Sequence, residues 1–184
     1  MLPSVFTKEP DFSELSNQEF DWMYSVYRNV HELIPSDIPE PLENPVVTIT
    51  YCDANLYHDL LTERLVMGIL YLLNLTPMDY FSKKESTAET VTYGLEFVTT
   101  RTAVEQIMDL RLTLRYLGVP IKHVSYIFDN NKSVVDSSTI PHAKLYKRYM
   151  ALSFHQVRET ISSGMLSFGF IDGIINLEDI LSKY

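Results

Sequence analysis

The sequence predicts one α/β domain with a five-stranded mixed sheet, and three patterns indicate it. Three strand-like runs come first, and the short links between them favour an antiparallel meander. Two more strand-like runs are separated by helical patterns, as expected for strands joined by helical crossovers. With 184 residues, 46% of them hydrophobic, the chain can bury one full-sized core.

The strands are predicted from β-branched, aromatic and uniformly apolar runs. The first run ends directly before Asp53, and the third follows a chain breaker at Pro77. The five predicted strands cover residues 46–52, 65–73, 78–82, 124–128 and 165–171.

Four helices are predicted, two of them long, so that the order is β-β-β-α-β-α-α-β-α. The first long helix carries an apolar stripe at steps of four and three residues and ends before Gly118 and Pro120. The second spans about residues 144–162 and stops at Gly164. A short helix is predicted for residues 130–137, and a terminal one for residues 176–183.

The net charge of −9 is concentrated at the beginning of the chain. Residues 1–46 carry nine acidic and two basic side chains, together with six of the nine prolines. The remaining 138 residues carry 15 acids and 13 bases, so the overall charge does not exclude nucleic-acid binding by the folded part. We therefore predict an acidic, proline-rich connector or tether over residues 1–45 and a folded domain over residues 46–184.

The environment of the protein is indicated by two features. Cys52 is the only cysteine, so an internal disulfide cannot form, which favours a reducing compartment. The longest apolar run, residues 65–73, is too short to cross a bilayer, and the first ten residues do not resemble a secretory signal. We expect an intracellular protein, cytoplasmic or nuclear, with no membrane partner.

Acidic and amide side chains recur at the ends of predicted strands and the beginnings of predicted helices. They are Asp53, Glu96, the pair Asp129 and Asn130, and Asp179. In the predicted topology all of them fall at one edge of the sheet. Carboxylates that converge are costly unless a cation neutralises them, and Mg²⁺ prefers such oxygen ligands. The set indicates a site for two-metal phosphodiester hydrolysis.

Several segments resemble, in order, the ribonuclease H domain of copia-type retrotransposon polyproteins. They are residues 50–59 (TYCDANLYHD), 81–106 (FSKKESTAETVTYGLEFVTTRTAVEQ), 109–120 (DLRLTLRYLGVP), 131–142 (NKSVVDSSTIPH) and 176–183 (NLEDILSK). Residues 20–22 and 34–42 resemble the connector that leads from the reverse transcriptase into that domain. The resemblance implies a ribonuclease H-like fold and Mg²⁺- or Mn²⁺-dependent cleavage of the RNA strand of an RNA–DNA hybrid.

The resemblance also implies roles for individual residues. Asp53 matches the first catalytic aspartate, which would bridge two metal ions, while Glu96 and Asp179 match two further ligands. The family's third aspartate stands where this chain has Asn130. Asp129 is one position early, and because successive strand residues face opposite sides, we expect it to be directed away from the metals unless the strand end bulges. We therefore expect weakened metal binding and impaired hydrolysis.

Candidate substrate contacts are basic residues near the predicted groove. An A-form-like hybrid is bound through its shape, phosphates and 2′-hydroxyls, which suits scattered Lys and Arg side chains. The candidates are Lys83, Lys84, Lys132, Lys144, Lys147, Arg148 and His155; an ordinary solvated surface is the other interpretation.

Two functions of different class stay open from the sequence. The first is a ribonuclease H derived from a retrotransposon polyprotein, with one degraded metal ligand. The second is a catalytically inactive module that binds nucleic acid or protein. Reverse transcriptase or other polyprotein parts are expected partners of residues 1–45.

Overall fold

The computed structural model describes residues 22, 25–55, 66–84, 92–145, 147–173 and 176–177. Its five strands are β1 (Thr48–Asn55), β2 (Val66–Leu73), β3 (Thr76–Lys84), β4 (Ser125–Asp129) and β5 (Leu166–Phe170). They form one sheet in the order β3-β2-β1-β4-β5. The first three strands are antiparallel, whereas β4 runs parallel to both β1 and β5. The predicted five-stranded mixed sheet is confirmed.

The described helices are α1 (Thr92–Tyr116), α2 (Lys132–Thr139) and α3 (Ala151–Ser162). The beginning of α3 is later than predicted, because one 3₁₀ turn at Arg148–Met150 precedes it and residues 140–145 and 147 form a turn and irregular backbone. Only Asn176 and Leu177 of the predicted terminal helix lie within the described residues. No helix in the described ranges is long and apolar enough to span a bilayer.

Strand β3 begins before Pro77 rather than after it. A proline is tolerated there because β3 is an edge strand, where a missing N–H need not break the ladder. The pairing of β2 with β3 also shifts register between Tyr71 and Leu72, opposite this part of β3.

The sheet buries both of its faces, and residue alternation assigns the strand side chains to them. On one face, Cys52 and Ile69 belong to a core that includes Phe97 of α1 and Phe154 of α3. The other face forms a second cluster around Ile49, Tyr51, Leu70, Leu72, Phe128 and Leu177. We call these the helix face and the terminal face, because Leu177 belongs to the segment that leads to the end of the chain.

The described part of the leading segment lies against the domain. Glu32 forms ion pairs with Arg111 at 2.9 Å and Arg115 at 2.7 Å, both in α1. Burial raises the pKa of Glu32, but the hydrogen bonds and charges of the two arginines outweigh it and lower the pKa. Arg111 is itself buried and donates to Ser125 Oγ at 2.9 Å, which connects the segment to β4.

Gly118 allows the leading segment to approach the end of α1 closely. It has a φ of +72°, and a Cβ there would lie 3.2 Å from the Glu40 carbonyl oxygen. The Leu42 N–H donates to the Gly118 carbonyl at 2.7 Å. A larger residue at position 118 would be strained and would also push this contact apart. The domain boundary at residue 45 stays a prediction.

We predict that Glu32→Gln lowers the free energy of unfolding by about 2 kcal/mol, because it leaves the buried Arg111 without its counter-charge. Urea denaturation at pH 7 would measure the loss. The control is Glu43→Gln, on an exposed position of the same segment, which should change stability by less than about 0.5 kcal/mol. Equal stabilities for the two variants would contradict the role of the Glu32 ion pairs.

Candidate active site

Asp53 lies in the central strand and is 6% exposed. It pairs across β1 and β2 with Gly68. Strand alternation places it on the terminal face, together with Tyr51. Its charge also raises the pKa values of Glu96 and Asp129. Asp53 is therefore close to both acids.

Glu96 comes from the first turns of α1 and is 5% exposed. Its carboxylate accepts hydrogen bonds from the Ala54 backbone N–H and the Asn131 side-chain amide. Burial raises the pKa of Glu96 to about 9, and the charges of Asp129 and Asp53 add to this effect. Its Oε2 atom is buried and has no hydrogen-bond partner in the described part of the chain. Glu96 Oε2 is therefore a buried site atom that lacks a hydrogen bond among the described residues.

Asn131 is a site residue that sequence reasoning missed. Its Oδ1 caps α2 by accepting from the N–H groups of Ser133 at 3.1 Å and Val134 at 3.3 Å. Its amide can then face Glu96, so that the beginning of α2 and the carboxylate of α1 are held together. The available signal was an asparagine directly before a helical run, which is typical of an N-cap.

Asp129 ends β4 and is 0% exposed. It pairs with Cys52, so strand alternation places it on the helix face, opposite to Asp53. Its Oδ1 accepts from the Asn131 N–H at 2.7 Å, and its Oδ2 accepts from Thr100 Oγ1 at 3.0 Å and Cys52 Sγ at 3.5 Å. Burial raises the pKa of Asp129 to about 7, although these three donors lower it. Both carboxylate oxygens of Asp129 are thus occupied by protein donors.

Asn130 follows Asp129 directly, but its side chain has different neighbours. Its amide nitrogen would lie 3.6 Å from a Cβ atom placed on Gly173, so Asn130 lies beside Gly173. Gly173 follows β5 in the segment that reaches Asn176, whose amide donates to the Cys52 carbonyl at 3.2 Å. Leu177 of this segment packs on the terminal face. Asn130 thus lies beside the segment that packs on Asp53's face, whereas Asp129 faces the helices.

Asp179, the remaining predicted ligand, lies outside the described residues. Within the described ranges, no three His, Cys, Asp or Glu side chains are arranged so that they could hold a metal ion together. Both carboxylate oxygens of Asp129 accept hydrogen bonds from the protein, whereas Glu96 Oε2 has no partner within the described residues. Carboxylate and amide oxygens and the unmet Glu96 Oε2 fit Mg²⁺ or Mn²⁺ chemically.

Two of the predicted basic contacts are exposed, one beside Asn131 and one on β3. Lys132 is exposed and follows the cap Asn131 directly. Lys83 is exposed on β3 and lies in the row Ala54, Met67, Lys83 across three strands, about 10 Å from Ala54 at ordinary strand spacing. The side chain of Lys84 lies outside the described residues.

The other basic candidates belong to the connection between α2 and α3 and to α3 itself. Lys144 and Arg148 are exposed, and Lys147 is half-buried with its ammonium 5.6 Å from the Tyr149 ring centre. His155 is exposed on α3, where its Nδ1 is hydrogen-bonded to the Tyr27 hydroxyl at 2.5 Å. The structure therefore joins His155 to the leading segment.

No protein-family profile and no curated protein matches the sequence. Solved structures do match. LC11-RNase H1 in complex with an RNA/DNA hybrid has a TM-score of 0.56 at 15% identity, covering 73% of this chain and 92% of that one. The N-terminal RNase H domain of a Mycobacterium tuberculosis protein has a TM-score of 0.57 at 11% identity, covering 74% and 91%. This chain has a ribonuclease H-like fold.

The foamy virus protease–reverse transcriptase shares the ribonuclease H-like fold over part of its length. Its TM-score is 0.50 at 11% identity, covering 79% of this chain and 21% of that one. At these identities the likeness establishes the fold, while the chemistry of the site has to be argued from its own residues.

We predict that stability falls as the pH rises from 6 to 9 in metal-free buffer. An acid whose folded pKa is raised stabilises the fold fully below its unfolded pKa, and that contribution is lost as the pH rises through the folded pKa. For Glu96 the window runs from its ordinary 4.5 to about 9. We expect the free energy of unfolding to fall by more than about 1 kcal/mol across this range.

The matched variant is Glu96→Gln, which cannot ionise and should lose less than half as much stability between these pH values. Glu43→Gln, on the exposed connector, should follow the wild type. Identical pH profiles for Glu96→Gln and the wild type, measured by urea denaturation, would contradict the assignment.

Proposed function

We propose that this chain is a ribonuclease H-type domain of copia-type retrotransposon descent that binds an RNA–DNA hybrid together with Mg²⁺ or Mn²⁺. It hydrolyses the RNA strand weakly because Asn130 stands at the place of a third carboxylate. The proposal rests mainly on the opposite placement of the neighbouring residues Asp129 and Asn130. Asp129 is enclosed and hydrogen-bonded on the helix face, and Asn130 lies beside the segment leading to Asp179.

The hybrid is supported as the substrate by the fold and by the surface. LC11-RNase H1, which has the same fold, is known in complex with an RNA/DNA hybrid. In this chain Lys132 is exposed beside Asn131 and Lys83 is exposed on β3, and we expect both to meet phosphates of a duplex lying across the strand ends.

Four residues would hold the cations: Asp53, Glu96, Asn130 and Asp179. When bound, divalent cations supply the positive charge that offsets the carboxylates and polarises the scissile phosphate. Asn131 would keep Glu96 in place through its amide. Asn130 offers one carbonyl oxygen and no negative charge, so one of the two ions should bind more weakly.

A catalytically inactive binding module is the second candidate. It is favoured by the same Asn130, and by the finding that no three candidate ligand side chains converge among the described residues. In that case the fold would serve to bind a hybrid or another part of a polyprotein, with residues 1–45 as the protein contact.

We predict that Asn130→Asp raises the rate of RNA-strand cleavage by at least about 100-fold, because it restores a charged ligand at the metal site. The assay uses a hybrid with a labelled RNA strand, in Mg²⁺ and in Mn²⁺. The matched variant is Asp129→Asn in the Asn130→Asp background. It should keep most of the gained activity, provided that circular dichroism shows a folded protein.

The possible results separate the two candidates. Cleavage gained in Asn130→Asp identifies the weakened enzyme. Hybrid binding without cleavage in either protein identifies the inactive module. Strong cleavage by the wild type that Asp129→Asn abolishes would contradict the proposal, since Asp129 would then be the ligand.

A further inference from the structure

Arg158 is a buried cation with an unusual set of partners. It lies in α3 and is 2% exposed. Its Nη1 donates to the carbonyls of Ser137 at 2.7 Å and Ile140 at 2.8 Å, and its Nη2 donates to the Pro141 carbonyl at 2.6 Å. No carboxylate among the described residues forms an ion pair with it. Arg158 therefore holds the end of α2 and the loop that follows.

The other side of the guanidinium is covered by aromatic rings. The Trp22 and Phe154 ring centres are both 4.9 Å from Arg158 Cζ, and the Tyr27 ring centre is 5.5 Å away. The Tyr27 hydroxyl accepts a hydrogen bond from Arg158 and also contacts His155. Because Trp22 and Tyr27 precede the sheet, Arg158 connects the leading segment to the loop after α2.

Burying the Arg158 guanidinium is energetically costly compared with filling the same space with apolar side chains. Removing a guanidinium from water costs several kcal/mol, and apolar residues of similar volume often stabilise a fold as well or better. Its Nε atom is also buried and has no hydrogen-bond partner within the described residues. The planar guanidinium, however, donates to three carbonyls in one fixed geometry. It therefore defines the position of the backbone, which an apolar side chain cannot do.

The residues that follow the carbonyls held by Arg158 carry exposed positive charge. Lys144 and Arg148 are exposed, and Lys147 lies over the ring of the exposed Tyr149. We call residues 144, 145 and 147–149 the basic loop. Along the chain it follows Asn131 after α2, whose eight residues span about 12 Å, and after residues 140–143.

We propose that Arg158 is a positioning residue for nucleic-acid binding, which couples the leading segment to the basic loop. With Trp22 and Tyr27 packed on Arg158, the loop backbone is fixed and its cations contact phosphates of the duplex. The inference rests on the proposed hybrid binding. Arg158 itself is too deeply buried to touch a phosphate, so its effect has to pass through the loop.

The test measures binding of a fluorescent RNA–DNA hybrid by anisotropy in Ca²⁺, over a range of salt concentrations. Arg158→Lys keeps the charge but cannot hold three carbonyls. We expect it to weaken binding about tenfold and to reduce the salt slope by about one to two phosphate contacts. Replacing Lys144, Lys147 and Arg148 together with alanine should have a similar effect, and adding Arg158→Lys to that triple variant should cost no further affinity.

Arg101→Lys is the matched control, because Arg101 is a half-buried arginine on α1 that pairs with Glu105 and has no contact with the loop. It should bind as the wild type does. Should Arg158→Lys prove unfolded in a thermal melt, Tyr27→Leu tests the same coupling from the leading segment. It should weaken binding at least about threefold in the wild-type background, and not at all in the triple variant.

The results distinguish this inference from the proposed function. A wild type that does not bind the hybrid rejects the proposed function. A wild type that binds, together with a folded Arg158→Lys protein of equal affinity, rejects the positioning role. The positioning role is also rejected if the losses of binding free energy caused by Arg158→Lys and by the triple variant are fully additive. Additive losses would mean that Arg158 and the basic loop affect binding independently.

Discussion

The parallel pairing of β1 with β4 is the constraint on which the site depends. It places Cys52 opposite Asp129, and so assigns the carboxylate of Asp129 to the face that α1 covers. Its two carboxylate oxygens then accept hydrogen bonds from Thr100, Cys52 and the Asn131 N–H. The next residue, which lies beside the segment leading to Asp179, is an asparagine. The sheet register therefore decides which of two neighbouring residues is available to a cation.

The enclosed Asp129 also affects the residues that remain available. Burial comes first among the causes that raise the pKa of Glu96, and the charge of Asp129 comes second. Because its pKa is raised, Glu96 carries little negative charge at neutral pH without a cation, while its Oε2 has no hydrogen-bond partner within the described residues. A cation bound there, as proposed above, would favour the ionised carboxylate. Retained cation binding with weak hydrolysis is the outcome that the proposed function predicts.

Local patterns were sufficient for the sheet and for α1, but not for the contacts between distant segments. The β-branched and apolar runs predicted all five strands, and the apolar stripe predicted α1, because both signals are local. The sequence analysis did not single out Arg158, because the rings and carbonyls that bury it come from elsewhere in the chain. Glu32 looked like part of an acidic tether, and its partner Arg111 is 79 residues away. Asn131 was overlooked because its amide contact with Glu96 is a tertiary feature that capping alone does not predict.

The most direct test is a crystal structure of the wild-type protein with Mn²⁺, in which anomalous scattering locates each ion. We expect Mn²⁺ beside Asp53 and Glu96 on the side of Asn130, while Asp129 keeps its hydrogen bonds to Thr100 and the Asn131 N–H. An ion coordinated by Asp129, with Asn130 turned away from it, would show that Asp129 is the metal ligand and that the proposed site is wrong.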